Sequence, residues 1–273
     1  MEITKTTKKL YNGVEIPVLG LGTWQVKNEI ASNVMLHALQ AGYRHIDTAA
    51  AYENEEGVGE GIRKSGIPRS EIFITSKIPA EYKSYEIAKR TIDESLSYLK
   101  TDYIDLMLIH APRPWDEMYP KGEKLYEEEN AAVWRALEEG YKAGKFRAIG
   151  VSNFEPYDLN NIFSRCTVRP MVNQIRSFIG AIDWETLALC KENDIVIEAY
   201  SPLATGNILN SEQIKNVAQK YGVSAARLCI KYVLQLGLVA LPKTTSPDRM
   251  KENIQLDFTI SEKDMALLNA MKY

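Results

Sequence analysis

One pattern recurs along most of this chain: a short apolar run ends on a polar residue able to bind a ligand or take part in chemistry. Seven such runs lie between positions 43 and 243, separated by segments of helical period, and an earlier run, VLGLGTW, spans 18–24. Eight alternating βα units predict an α/β fold, a (β/α)8 TIM barrel with its active site at the carboxyl ends of the strands. The seven runs are YRHID, IFITSK, YIDLMLIH, AIGVSN, MVNQ, IVIEAY and LVALPK.

The segments between and after these runs predict helices. After the last strand, Ser246, Pro247 and Asp248 have the N-cap, first-turn proline and early acid of a short helix. Near the start, Asn12 and Gly13 separate two extended runs and favour a tight hairpin turn, so we predict a β-hairpin that plugs the barrel floor. The other predicted helices span 29–41, 54–64, 85–99, 127–143, 156–165, 183–193, 212–221, 224–236 and 261–272.

Composition narrows the class of protein. No linker divides the 273 residues, so we predict a single domain over 1–273. A net charge of −3 without a basic cluster argues against nucleic-acid binding. No apolar run is long enough for a membrane span and the first ten residues lack a signal-peptide core, which predicts a cytoplasmic protein. The three cysteines are isolated, so neither a disulfide framework nor a metal site is expected.

Four polar residues follow three successive strands and the loop after the first of them: Asp47, Tyr52, Lys77 and His110. They can meet over one mouth of the barrel. The ammonium of Lys77 should lower the pKa of Tyr52, while Asp47 holds Lys77 charged. We therefore assign Tyr52 as a general acid and His110 as a hydrogen-bond donor that orients a substrate carbonyl. This set of residues favours carbonyl reduction.

Structural alternatives exist for each of these residues. Asp47 and Lys77 could form an ion pair without a catalytic role, the tyrosine could be a packing residue and the histidine a hydrogen-bonded core residue. Their joint position at strand ends favours the catalytic interpretation. A metal-dependent hydrolase is a weaker hypothesis, because two of the three histidines, His37 and His45, fall within a predicted helix and strand.

Longer motifs show that the chain resembles the aldo-keto reductases over essentially its whole length. Within that family it resembles the short bacterial-type NADPH-dependent members, and is similar to 2,5-diketogluconate reductases and glyoxal or methylglyoxal reductases. It implies a monomer that reduces aldehydes and ketones, with hydride passing from nicotinamide to the carbonyl carbon and with Asp47, Tyr52, Lys77 and His110 as the catalytic tetrad. The matching blocks are GLGTW, GYRHIDTAAAYENE, ITSK, LIH, GKFRAIGVSNF, NQ, AYSPL and PKTTSPDRMKEN.

An anion site is predicted after the last strand. No GxGxxG follows the first strand, so a Rossmann site is not indicated. Lys243 ends the last strand and Arg249 lies in the first turn of the helix capped by Ser246, where barrels often bind phosphate. The resemblance implies that Lys243, Thr244, Ser246 and Arg249 hold the 2′-phosphate of NADP(H), preferred over NAD(H). It also implies adenine contacts from Glu252 and Asn253. The alternative is that the lysine and arginine are solvated surface charges.

The nicotinamide end is predicted on other strands. Ser152, Asn153 and Gln174 carry hydroxyl and amide groups that match a carboxamide, although the two amides could instead cap barrel strands. The resemblance implies that Tyr200 stacks on the nicotinamide ring. It assigns further cofactor contacts to Gly22, Thr23, Asp47, Ser201 and Leu203.

The substrate pocket departs from the pattern of many relatives. Ala111 follows His110 where a tryptophan is common, and IPAEY and IRSFIG replace the usual residues after Lys77 and Gln174. Arg113 and Arg176 could favour an anionic substrate or be solvated charges. The predicted substrate-binding residues are Trp24, Tyr52, His110 and Trp115.

A second functional class stays open, a non-catalytic NADP(H)-binding barrel with a structural or regulatory role. The intact tetrad argues against it, because a protein without catalysis has no chemical need for those four residues together.

Overall fold

The computed structural model describes residues 2–118 and 121–273. Eight parallel strands, β3 to β10, form one sheet in which each strand lies beside its neighbours in sequence. This order confirms the predicted (β/α)8 barrel. The strands are β1 (Thr7–Lys9), β2 (Glu15–Pro17), β3 (Leu21–Gly22), β4 (His45–Asp47), β5 (Phe73–Ile78), β6 (Ile104–Ile109), β7 (Phe146–Ser152), β8 (Val172–Arg176), β9 (Val196–Tyr200) and β10 (Val239–Leu241).

Helices connect the strands and cover the outside of the barrel. The bounds agree with the predicted ones to within one residue, except that the closing helix ends at Asn269 rather than at 272. Serine or aspartate side chains at the N-caps of α3, α6, α7, α8, α9 and α10 accept hydrogen bonds from first-turn N–H groups, which explains the sharp starts. The helices are α1 (Asn28–Gln40), α2 (Glu55–Lys64), α3 (Tyr85–Leu99), α4 (Glu127–Lys142), α5 (Pro156–Arg165), α6 (Trp184–Glu192), α7 (Glu212–Lys220), α8 (Ala225–Gln235), α9 (Pro247–Asn253) and α10 (Glu262–Asn269).

One continuous apolar core joins the strands to the surrounding helices. Within the described residues, no helix combines the length and the hydropathy needed to cross a bilayer.

The barrel closes at a short seam between the first and last strands of the sheet. The backbone N–H of Gly20 donates to the carbonyl of Ala240 (2.9 Å), and that of Gly22 donates to the carbonyl of Pro242 (3.0 Å). A parallel bridge also pairs Gly22 with Lys243. The seam therefore brings the two ends of the chain together at the carboxyl end of the barrel.

Strand β3 is shorter than the apolar run at 18–24 predicts. Regular pairing is limited to Leu21–Gly22. Immediately afterwards the N–H of Thr23 donates to the carbonyl of Asp47, and the chain turns so that the N–H of Val26 donates back to Thr23. Gln25 within this turn has a φ of +59°. The turn ends the strand and leads the chain into α1.

The amino-terminal hairpin covers the floor of the barrel, as predicted. Strands β1 and β2 pair in antiparallel register. In the turn between them, Gly13 alone of the predicted pair has a positive φ, +90°. The hydroxyl of Tyr11 donates to the carbonyl of Arg169 (2.6 Å), and the Asn12 amide donates to that of Arg147 (2.9 Å). Both acceptors lie near the amino ends of strands, opposite the polar residues at the carboxyl ends.

Candidate active site

The structure brings the four predicted catalytic residues together. Asp47 ends β4, Tyr52 ends a one-turn 3-10 helix (Ala50–Tyr52), Lys77 lies near the end of β5 and His110 follows β6. The Lys77 ammonium donates to Asp47 Oδ1 (2.8 Å) and to the carbonyl of Thr48 (2.7 Å). The Tyr52 hydroxyl lies 3.4 Å from His110 Nε2. The lysine Nζ lies 5.2 Å from the centroid of the Tyr52 ring.

Lys77 is charged in this arrangement. The side chain is fully buried, and burial alone would lower the pKa of Lys77. The negative charge of Asp47, with smaller influences from Tyr52 and Glu198, outweighs burial and raises the pKa above its usual value. The lysine therefore keeps its proton across the neutral range, beside the tyrosine.

Burial also dominates the ionisation of Tyr52. It raises the pKa of Tyr52 above the ordinary value, while the positive charge of Lys77 acts in the opposite direction. The lysine lowers the pKa as predicted, but burial is the larger influence and the net direction is upward. The hydroxyl thus carries its proton at neutral pH and is available as a proton donor.

His110 is uncharged at neutral pH. Burial and the positive charges of Lys77 and Lys83 hold the pKa of His110 well below its usual range. Its Nδ1 atom is buried and has no hydrogen-bond partner among the described residues. A buried lone pair without a partner costs less than a buried N–H without one, which favours the tautomer with hydrogen on Nε2. That N–H points to the position between His110 and the Tyr52 hydroxyl.

A cavity of about 1210 Å³ extends from these residues to the start of α9. All four predicted substrate-binding residues line it, whereas Lys77 is buried beneath it. Of the predicted cofactor-binding residues, Thr23 is buried behind the lining, and the Ser246 hydroxyl accepts from the Arg249 N–H as the N-cap of α9. The predicted cofactor-binding residues that line the cavity are Gly22, Asp47, Ser152, Asn153, Gln174, Tyr200, Ser201, Leu203, Lys243, Thr244, Arg249, Glu252 and Asn253.

The amide and hydroxyl groups at the deep end of the cavity form hydrogen bonds with one another and with nearby backbone carbonyls. The Tyr200 hydroxyl donates to Asn153 Oδ1 (2.7 Å), and Asn153 Nδ2 donates to the carbonyl of His110 (2.9 Å). Ser152 Oγ donates to the backbone carbonyl of Gln174 (2.8 Å). These bonds fix the side chains in place at the ends of β7, β8 and β9, close to the tetrad.

Two tryptophans form the aromatic walls near the tetrad. Trp24 is 48% exposed and Trp115 is 38% exposed, which leaves ring surface for a bound molecule. The Trp115 ring lies edge-to-face against His110, with centroids 5.2 Å apart. Trp115 therefore both contacts a residue of the tetrad and lines the cavity beside it.

The two arginines considered for an anionic substrate lie in different environments. Arg113 is 2% exposed, and its guanidinium donates to the backbone carbonyl of Gly122 (2.9 Å). It is therefore held inside the protein and does not line the cavity. Arg176 is exposed, lines the cavity and packs over Phe178, 4.9 Å from the ring centroid. Glu81 lines the same cavity.

Several lining residues were not predicted from the sequence. Pro202 lies within the AYSPL block, and Ser224, Ala225 and Ala226 form the start of α8. The N-cap signature of Ser224 marks a helix start but does not indicate that this helix faces the cavity. The sequence analysis also did not identify the buried Glu198, which lies beneath the tetrad and in the middle of the apolar run IVIEAY.

Unusual backbone conformations are concentrated around the cavity. Gln25, Asn153, Ser201 and Thr205 line it and have φ values between 50° and 61°. Non-glycine residues rarely adopt this region, and they do so mainly where surrounding structure holds them at functional sites.

In the described portions of the chain, no three His, Cys, Asp or Glu side chains group as a metal site requires.

Comparisons with known proteins agree with this geometry. The model of the Aldo/keto reductase family matches residues 18–272. Glyoxal reductase of Bacillus subtilis is 42% identical over 98% of this chain and 93% of that protein. Glycerol 2-dehydrogenase (NADP(+)) of Saccharomyces cerevisiae is 38% identical over 95% of this chain and 88% of that protein. The crystal structure of an aldo/keto reductase from Brucella melitensis aligns with a TM-score of 0.89 at 38% identity, covering 97% of this chain and 98% of that one. The chain therefore belongs to the aldo/keto reductase family and is an NADP-dependent oxidoreductase.

Proposed function

We propose that this enzyme reduces small aldehydes and ketones to alcohols with NADPH, and that Tyr52 is the general acid. The observation that carries the proposal is the convergence of the Tyr52 hydroxyl and His110 Nε2, 3.4 Å apart, at the closed end of the large cavity. A carbonyl oxygen between these two groups would accept hydrogen bonds from both. The name of the glyoxal reductase relative places small dicarbonyls among the first substrates to test.

Each residue of the tetrad has a separate role in the reduction of the carbonyl group. NADPH supplies, when bound, the hydride that reduces the carbonyl carbon. His110 orients the carbonyl oxygen through Nε2–H, and the Tyr52 hydroxyl transfers its proton to that oxygen as negative charge develops there. Lys77 stabilises the phenolate that results, because its ammonium lies beside the tyrosine ring. Asp47 keeps the lysine in place through the 2.8 Å ion pair.

The cavity suits a phosphorylated dinucleotide. It is long enough to include both the tetrad and the residues around α9, and its size exceeds the ordinary volume of a small-molecule site. Lys243 and Arg249 both line its far end, where they offer two positive charges to a phosphate. Gln174 and Asn153 offer amide groups at the near end. These features support NADP(H) as the preferred cofactor over NAD(H).

The proposal predicts turnover in a simple assay. Purified protein mixed with NADPH and either glyoxal or an aromatic aldehyde should oxidise NADPH, with one alcohol group formed for each NADPH consumed. The measurement is the loss of NADPH absorbance together with product analysis. Stoichiometric NADPH binding without oxidation across a broad carbonyl panel would contradict the proposal and favour the non-catalytic binding barrel.

The preference for NADPH over NADH should depend on the two positively charged side chains, Lys243 and Arg249. Replacing either Lys243 or Arg249 by alanine is expected to raise KM for NADPH about 10- to 100-fold, since each removes a charge-assisted hydrogen bond to phosphate. KM for NADH, which lacks that phosphate, should change little. Lys251→Ala is the matched control, because this exposed lysine lies on the same helix and outside the cavity lining. Equal losses with both cofactors would refute the assignment of the phosphate site.

A further inference from the structure

A second buried polar cluster lies directly beneath the tetrad, inside the barrel. Glu198 of β9 and His45 of β4 are both completely buried, with Glu198 Oε1 3.5 Å from His45 Nε2. The other glutamate oxygen, Oε2, accepts from Gln174 Nε2 (2.8 Å). The same Gln174 nitrogen donates to Asp47 Oδ1 (2.7 Å), so the cluster is connected to the tetrad.

The bonds of His45 determine which of its nitrogens can accept a proton. Its Nδ1 lies 3.2 Å from the carbonyl oxygen of Pro17, and a carbonyl can only accept, so Nδ1 carries the hydrogen. In the neutral ring Nε2 then has a lone pair, which faces Thr75 Oγ1 (3.1 Å) and Glu198 Oε1. Glu198 Oε1 has no hydrogen-bond partner in the part of the chain that the structure describes. A proton on that oxygen would point to the histidine lone pair.

The carboxyl groups of Glu198 and Asp47 cannot both be ionised at low cost. One Gln174 nitrogen donates to both, at 2.8 and 2.7 Å, so the two acceptor oxygens are at most 5.5 Å apart, the sum of those lengths. Two like charges at that separation in a water-free interior repel strongly, and one carboxyl then keeps a proton. Asp47 has the ammonium of Lys77 at 2.8 Å and keeps its charge. Among the described residues, no lysine or arginine forms an ion pair with Glu198, which makes it the protonated member.

We propose that Glu198 is a carboxylic acid in the resting enzyme, that it keeps its proton on Oε1 directed toward the lone pair of His45 Nε2, and that it thereby positions Gln174 and Asp47 with a single negative charge beneath Tyr52. Glu198 is a positioning residue, since it acts through Gln174, Asp47 and Lys77 and does not line the cavity. Loss of its proton would add a second negative charge below the tetrad and disfavour the phenolate that Tyr52 must become.

The surroundings of Glu198 favour this protonation state. Burial, with a further contribution from Asp47, raises the pKa of Glu198 to about 8, while burial lowers the pKa of His45 to about 4. The ionisable groups facing the pair are Asp47 on β4, Lys77 on β5 and, toward His45, Asp105 on β6. From β8 the neighbour is the neutral Gln174, and on β10 the register partner is Val239. Among these described groups, the glutamate alone can therefore change charge on the alkaline side of neutrality without breaking an ion pair.

The test compares pH profiles of Glu198→Gln and the parent, and its kinetic part rests on the proposed reductase function. A glutamine amide can accept from Gln174 and donate to His45, so it imitates the protonated acid but does not ionise. We expect kcat near the parent value at neutral pH and an alkaline decline displaced upward by about one pH unit or more. Glu192→Gln, the same change on the exposed end of α6, should leave the profile unchanged. Coincident profiles for Glu198→Gln and the parent would overturn the proposal.

A second measurement detects the proton on Glu198 directly and needs no turnover. Its result therefore tests the protonation of Glu198 even if the proposed reductase function is wrong. With 13C-labelled glutamate side chains, the parent should show a carboxyl resonance that titrates near pH 8, which is absent in Glu198→Gln and present in Glu192→Gln. If Glu198→Gln does not fold, Glu55→Gln assigns the resonance instead: burial also raises the pKa of Glu55, and the proposal requires that the resonance persist in that variant. A parent in which every glutamate carboxyl has lost its proton below about pH 7 would refute the proposal.

Discussion

Replacing Tyr52 by phenylalanine is expected to lower kcat by about 10²- to 10⁴-fold, the usual contribution of a positioned general acid. The substitution removes only the hydroxyl that lies 3.4 Å from His110 Nε2 and leaves the ring, which packs edge-to-face on that histidine with centroids 5.5 Å apart. NADPH affinity, measured by fluorescence titration, should therefore stay close to that of the parent. The assay is steady-state NADPH oxidation with a carbonyl substrate.

The matched control removes a tyrosine hydroxyl far from the cavity. Tyr98 on α3 is 53% exposed and does not line the cavity, so Tyr98→Phe should retain full activity. Undiminished turnover by the Tyr52 variant would show that another group protonates the carbonyl oxygen. The carbonyl would then have to be reduced without the hydroxyl that lies 3.4 Å from His110 Nε2.

Replacing Lys77 by methionine is expected to reduce both stability and activity. The variant leaves Asp47 buried without its cation, and breaking a buried ion pair costs about 3–5 kcal/mol of unfolding free energy. The raised pKa of Lys77 means that its contribution is complete at neutral pH and is lost only as pH rises above the ordinary lysine range. Activity should fall at least about 100-fold, because the phenolate of Tyr52 loses its stabilising charge. Urea unfolding and steady-state kinetics measure the two effects.

Two further variants separate charge burial from general damage to the fold. Lys64→Met removes an exposed ion pair with Glu60 on α2 and should change the unfolding free energy by less than about 1 kcal/mol. Adding Asp47→Asn to Lys77→Met removes the unpaired charge, and part of the lost stability should return while activity does not. A double variant as unstable as Lys77→Met would show that packing, rather than the unpaired carboxylate, causes the loss.

The fold was predictable because its main signals are local. Apolar runs that end on polar residues predicted the strands, and helical periodicity predicted the helix starts to within one residue. The predicted first strand was too long because the run VLGLGTW extends to Trp24, where the chain already turns. The turn is held by the hydrogen bond from the Thr23 N–H to the carbonyl of Asp47 on β4. This contact joins residues far apart in sequence, so a local sequence pattern does not reveal it.

The candidate site was predictable where residues lie at strand ends and much less so inside the barrel. Thirteen of the fifteen residues assigned to the cofactor line the cavity; Thr23 and Ser246 do not. The contribution of Glu198 was missed, although a charged residue in the middle of the apolar run IVIEAY is itself a signal. The net direction of the Tyr52 pKa also depends on burial, which only the assembled barrel determines.

The seam between β3 and β10 makes the proposed cofactor site dependent on complete folding. Gly22 and Lys243 form a bridge across the seam, and both line the cavity near the predicted phosphate contacts. They lie 221 positions apart in the chain, so their pairing is among the contacts of highest sequence separation and carries a large loop-closure entropy. A chain in which the seam has not formed does not hold Gly22 and Lys243 together, whereas a closed barrel does. Cofactor binding would then selectively stabilise molecules whose barrel has closed, and would draw the folding equilibrium toward them.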